Sequence, residues 1–133
     1  LSLHDALPIS EFSVHVGLTL QKQQIILYPK VQLLRIIQEL QQQDKTNYFQ
    51  QTIAPLKEYP FLLDTLIKYF RNNENQKQTC KELFIHVNTL QYRLKKIEAL
   101  CGLNMIYMQE KINLYVSLLS HMMENWRNDN DND

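Results

Sequence analysis

The sequence predicts a mainly α-helical fold, and three observations predict it. The chain holds only two Gly and four Pro in 133 residues, too few for a turn-rich β fold. From Pro60 onward, apolar residues recur three and four positions apart, the period of a helix with one buried side. Alternating, strand-like runs occur only near the start. A hydrophobic content of 44% is ordinary for a chain that packs a core.

The elements follow in order. Residues 1–10, LSLHDALPIS, read as a non-native leader of the kind an adapter sequence encodes, so His4 and Asp5 are expected to carry no function. On that reading the native protein is longer at its N-terminus. Residues 11–59 are mixed. Phe12-Ser13-Val14-His15-Val16 alternates as a strand would, and Gln24-Ile25-Ile26-Leu27-Tyr28 reads as another, stopped by Pro29. A helix is expected over 31–42, with Val31, Leu34, Ile37 and Leu40 in three-residue steps and Leu33 and Ile36 beside them. Asp44 can cap a further helix through Tyr48, Phe49, Ile53 and Leu56. This stretch reads as a small α/β remnant or connector.

Pro60 suits the first position of a helix running to Arg71, with Leu63, Leu66, Ile67 and Phe70 as its buried stripe. The run Asn72-Asn73-Glu74-Asn75 breaks it. Asn75 with Gln78 three positions on is a helix start, and that helix passes through Thr79, Cys80 and Leu83. Phe84-Ile85-His86 is then a tight connection, with Ile85 filling the angle. The next helix spans about 87–100 and turns Leu90, Leu94, Ile97 and Cys101 inward at steps of four, three and four. Gly102 is a C-cap, and residues 103–108 form a short link. A last helix over about 109–126 offers Ile112, Tyr115, Val116, Leu119, Met122 and Met123 as an apolar face, before a polar tail at 127–133 expected to be disordered.

A short helix, a tight turn and a second helix form a helix-turn-helix, whose second helix enters the DNA major groove. The outward residues suit that task. Asn88 and Gln91 can read base edges; His86, Thr89, Tyr92, Arg93, Lys95 and Lys96 can meet the backbone, with Lys77 and Lys81 assisting from the first helix. Val87 completes the candidate DNA-binding set at the helix start. An ordinary helical hairpin with a solvated polar face has the same period, and the turn lacks the Gly common in this motif.

Charge supports the first reading. The formal net charge is zero, yet seven cations and three anions lie between Lys68 and Glu98. Phosphate contact requires a local basic face, not a basic chain. The segment lacks a Gly-rich phosphate loop, a Cys-x-x-Cys pair and a His pair at ligand spacing, so neither an enzyme, a cofactor nor a metal site is expected. Cys80 and Cys101 read as buried thiols of a reducing compartment. Apolar runs stay well below the ~20 residues of a membrane span.

The run Leu83-Phe84-Ile85-His86-Val87-Asn88-Thr89-Leu90-Gln91-Tyr92-Arg93-Leu94-Lys95-Lys96-Ile97-Glu98, followed by Gly102-Leu103, resembles the C-terminal domain of the carbohydrate-diacid and purine-catabolism (PucR-type) transcription regulators. The likeness covers about residues 60–121, including Leu62-Leu63-Asp64-Thr65-Leu66 and Tyr69-Phe70. His86, Asn88, Thr89, Tyr92 and Arg93 match the family pattern; Lys95 and Lys96 match as a polar, often basic, pair. Val87 and Gln91 stand where the family usually has Arg, and Cys80 where a small residue is usual. The resemblance implies a cytoplasmic bacterial regulator that binds double-stranded DNA. It also implies a homodimer or higher oligomer, a small-molecule effector such as a sugar diacid held by an N-terminal domain, and a remnant of an upstream regulatory domain in residues 11–59. A helical protein-interaction module, using the last helix and the Leu/Ile stripe of 31–40, is the alternative.

Overall fold

The computed structural model describes residues 32–43 and 50–131. Both expected strands, the leader and the Asp44 cap lie outside these residues. The described residues are helical throughout, with turns between, and include no strand. They form α1 (Gln32–Gln43), a 3₁₀ helix (Ala54–Glu58), α2 (Pro60–Arg71), α3 (Gln76–Leu83), α4 (Val87–Cys101) and α5 (Met108–Asp131).

One compact unit is Gln51–Leu118. Its core is made by Ile53, Leu56, Leu62, Leu66, Leu90, Ile97, Leu114 and Leu118, all at most 1% exposed. It starts nine residues before the expected boundary at Pro60, because Ile53 and Leu56 are core residues. The expected helix through Ile53 and Leu56 is instead a turn and a 3₁₀ helix. Pro55 is the reason: its ring has no N–H to donate and clashes with the carbonyl four residues back in an α-helix. The chain uses shorter bonds there, Leu56 N to the Ile53 carbonyl at 2.8 Å and Tyr59 N to the Leu56 carbonyl at 2.9 Å. The 3₁₀ helix packs against α2 and α4, and α2, α3 and α4 pack on one another.

Two helices bury a different stripe from the one their period suggested. In α2 the buried residues are Leu62, Thr65, Leu66 and Tyr69. Of the expected set only Leu66 is fully buried; Leu63, Ile67 and Phe70 are half-buried. The helix is apolar on most sides, so period alone leaves its phase open. Phe70 finds the ring of Tyr115 instead, edge-on with centroids 5.4 Å apart. In α5 the buried residues are Leu114, Ser117, Leu118, Leu119, Ser120 and Met123. Leu119 and Met123 were expected, whereas Ile112 and Tyr115 stay exposed. Small Ser residues allow close approach, and Ser117 also accepts a hydrogen bond from Ile53 N at 3.1 Å.

α5 also runs to Asp131, past the expected end at 126. Residues 127–131 contain neither Pro nor Gly, so nothing local stops the helix. The other unit, as far as it is described, holds α1, Gln50 and residues 119–131. Leu34 and Ile37 of α1 are buried, while Leu33, Ile36 and Leu40 are exposed. The Gln50 amide donates to the Glu124 carboxylate.

Candidate nucleic-acid interface

Local bonding fixes α3 and α4 at both ends. Asn75 caps α3: its Oδ1 accepts from Gln78 N at 2.9 Å. Thr79, fully buried, donates from Oγ1 to the Asn75 carbonyl at 2.7 Å. Gln78 does not close the box back on Asn75; its amide donates to Glu82. α3 ends on Phe84, whose backbone takes the left-handed conformation (φ 56°, ψ 43°) that Gly usually supplies. The N–H groups of Phe84 and Ile85 both reach the Cys80 carbonyl. His86 then caps α4, its Nδ1 accepting from Asn88 N at 3.1 Å. Gly102 (φ 67°) closes α4 at the other end, with its own N–H and that of Leu103 on the Glu98 carbonyl. Glu98 also accepts from Met105 N at 2.8 Å, which anchors the link.

With α4 held so, Leu90, Leu94 and Ile97 face the core as expected, and Cys101 is half-buried. Burial pushes the Cys101 thiol up to about 11, so it stays protonated at neutral pH. His86, Val87, Asn88, Thr89, Gln91, Tyr92 and Lys95 are exposed on one contiguous stretch. Lys77 and Lys81 are exposed on α3. None of these three lysines makes an ion pair among the described residues. The motif's carboxylates are occupied elsewhere. Glu82 accepts from Asn72 at 3.1 Å and from Arg71 at 3.0 Å. Its hydrogen bonds, that from Asn72 above all, hold it below the usual carboxylate range.

Two expected contact residues are only half-exposed. Arg93 turns along the flank toward α2. Its guanidinium donates to Thr65 Oγ1 at 3.0 Å and lies over the Phe61 ring, 5.3 Å from the centroid. Thr65 is fully buried and itself donates to the Phe61 carbonyl at 2.7 Å. Arg93 is thus a tie between α4 and α2. Lys96 lies over the Tyr59 ring at 5.4 Å and near the Tyr92 ring at 6.0 Å. Sequence reasoning missed Tyr59, Phe61 and Thr65 as partners of the helix. The one local hint was a Thr within an otherwise apolar stripe.

The family model of the PucR C-terminal helix-turn-helix domain matches residues 62–120. These residues belong to that domain family. Among curated relatives, a carbohydrate diacid regulator of Escherichia coli is 35% identical over 94 residues, 68% of this chain and 24% of its own. The proline-responsive transcriptional activator PutR of Bacillus subtilis is 31% identical over 98 residues, 69% of this chain and 24% of its own. An uncharacterized protein of Haemophilus influenzae is 42% identical over 72 residues, 52% of this chain and 20% of its own. The chain therefore spans about a quarter of the length of the relatives it matches. No solved structure matches it. The PucR-type domain is homologous to domains of transcription regulators, and the resemblance read from residues 83–103 falls inside it. No described helix is long and apolar enough to cross a membrane.

Proposed function

We propose that this domain is the sequence-specific, double-stranded-DNA-binding unit of a bacterial transcription regulator, with α4 lying in the major groove. One observation carries the reading. A helix capped at both ends and fastened to the core by Leu90, Leu94 and Ile97 leaves Asn88, Thr89, Gln91 and Lys95 exposed on its outer side. Amides there suit base edges, since Asn and Gln pair bidentately with adenine. Lys77, Lys81 and Lys95 suit phosphates. His86, Thr89, Tyr92 and Lys96 border the same face. Arg93 serves by holding the helix at its angle on α2.

One such unit offers few base contacts. Half-sites about one helical turn apart read by two copies supply the rest, so the regulator works as a homodimer or larger assembly. Two relatives sharing this domain are named for different small molecules, a carbohydrate diacid and proline. The effector, a sugar diacid or another small molecule, is accordingly bound outside the matched segment. The role requires neither catalysis nor a cofactor, and it places the protein in the cytoplasm with the chromosome.

The test is a salt titration on duplexes selected from a randomised pool at low salt. Asn88→Ala should lose selectivity at one position. Lys95→Ala should make the log–log salt slope shallower by about 0.9, the value of one displaced counter-ion. Failure of the folded chain to bind any duplex at low salt would overturn the proposal. It would favour a protein-interaction module, for which exposed Leu33, Ile36 and Leu40 of α1 already provide an apolar stripe.

A further inference from the structure

About the start of α4 two apolar side chains are exposed among polar ones. Phe84 is 94% exposed in the turn, and Val87, the first residue of α4, is 37% exposed. They flank His86, whose ring nitrogen is already used in capping. Phe84 is held in place rather than loose: its left-handed backbone is pinned by two N–H groups on the Cys80 carbonyl. Gly fits that backbone at less cost and exposes no ring.

We propose that Val87, with Phe84 three residues before it in the turn, reads thymine through its 5-methyl group. The proposal rests on the DNA-binding reading above and names what the N-terminal end of α4 selects. In the major groove thymine is the base that presents a methyl group, and small apolar side chains meet it. An Arg at position 87 would carry donors suited to guanine O6 and N7. Valine has no donor or acceptor to offer, so apolar contact is the readout left to it. The surroundings favour a polyanion over a protein partner. Residues 76–101 carry five cations and two carboxylates, and both carboxylates accept hydrogen bonds within the domain. Lys77, Lys81 and Lys95 remain exposed on the same two helices.

The experiment uses the 133-residue chain and duplexes selected from a randomised pool. Each thymine of the selected site is replaced in turn by deoxyuridine, which removes only the methyl group. The wild type should lose about four-fold in affinity at one A·T pair, the value of one methyl-sized group withdrawn from apolar contact. Val87→Ala should bind the thymine and uracil duplexes alike, Phe84→Ala should narrow the difference, and Val87→Arg should shift selection at that pair toward guanine. Both positions are at the surface, and far-ultraviolet circular dichroism checks that each of the three variants is folded. Equal binding of every uracil duplex by the wild type would overturn the thymine reading while leaving DNA binding intact. A methyl effect that persists unchanged in Val87→Ala would overturn the assignment to this residue. Absence of binding to any duplex would instead remove the DNA reading on which the proposal stands.

Discussion

The outer face of α4 and its flank toward α2 carry the same kinds of side chain, yet the fold treats them differently. Lys95 on the face is exposed with no ion pair among the described residues. Arg93, two positions earlier on the flank, is hydrogen-bonded to Thr65 and stacked on Phe61. A cation on an outward-facing helix is therefore not by itself free for an outside partner. What decides is whether the neighbouring element offers an acceptor and a ring. Here α2 offers both, and the flank becomes part of the scaffold that aims the face.

Substitutions put that contrast to the test. The largest effect is expected on the inner side. Ile97→Ala removes a fully buried side chain and should cost about 2–5 kcal/mol in urea unfolding, whereas Gln91→Ala should stay within about 0.5 kcal/mol. Next comes the flank. Arg93→Ala should destabilise the fold by about 1–2 kcal/mol, through a charge-assisted hydrogen bond and a ring contact, and should leave the salt slope of DNA binding unchanged. Lys95→Ala should do the reverse, with stability unchanged and a shallower slope. Equal stabilities for the two variants would dissolve the distinction drawn between face and flank.

Gly102→Ala probes the end of the same helix. A Cβ there meets nothing within 4 Å, so the expected loss of about 1 kcal/mol comes from the left-handed backbone (φ +67°) alone. A thermal melt reads it. The smallest effect concerns Glu82, whose carboxyl lies below its ordinary value in the folded state chiefly through the Asn72 hydrogen bond. Its contribution is full above the unfolded value and is lost as pH falls through the folded one. Stability measured from pH 6 downward should therefore drop less in Glu82→Gln than in the wild type, the difference opening below about 4.5. Parallel curves would remove Glu82 from the account.

The local grammar of the motif was legible in the residues: the Asn75 cap, the tight turn, the His86 start, the inward Leu90, Leu94 and Ile97, and the Gly102 stop. These are decided within one or two helical turns, by hydrogen bonds to orphan backbone groups and by a period of 3.6. The exposure of Asn88, Gln91 and Lys95 followed from the same period. Packing between elements set which stripe α2 and α5 bury, where the unit begins, and that Arg93 is drawn onto Thr65 and Phe61. One cause underlies all three. A helix apolar on most sides has no unique inside until partners pack against it, and a long cation's orientation depends on an acceptor 28 residues away in sequence. Phe84 shows the limit most plainly. The residue pattern suited a turn there, but that its ring would stand 94% exposed depended on how α3 and α4 close around the core.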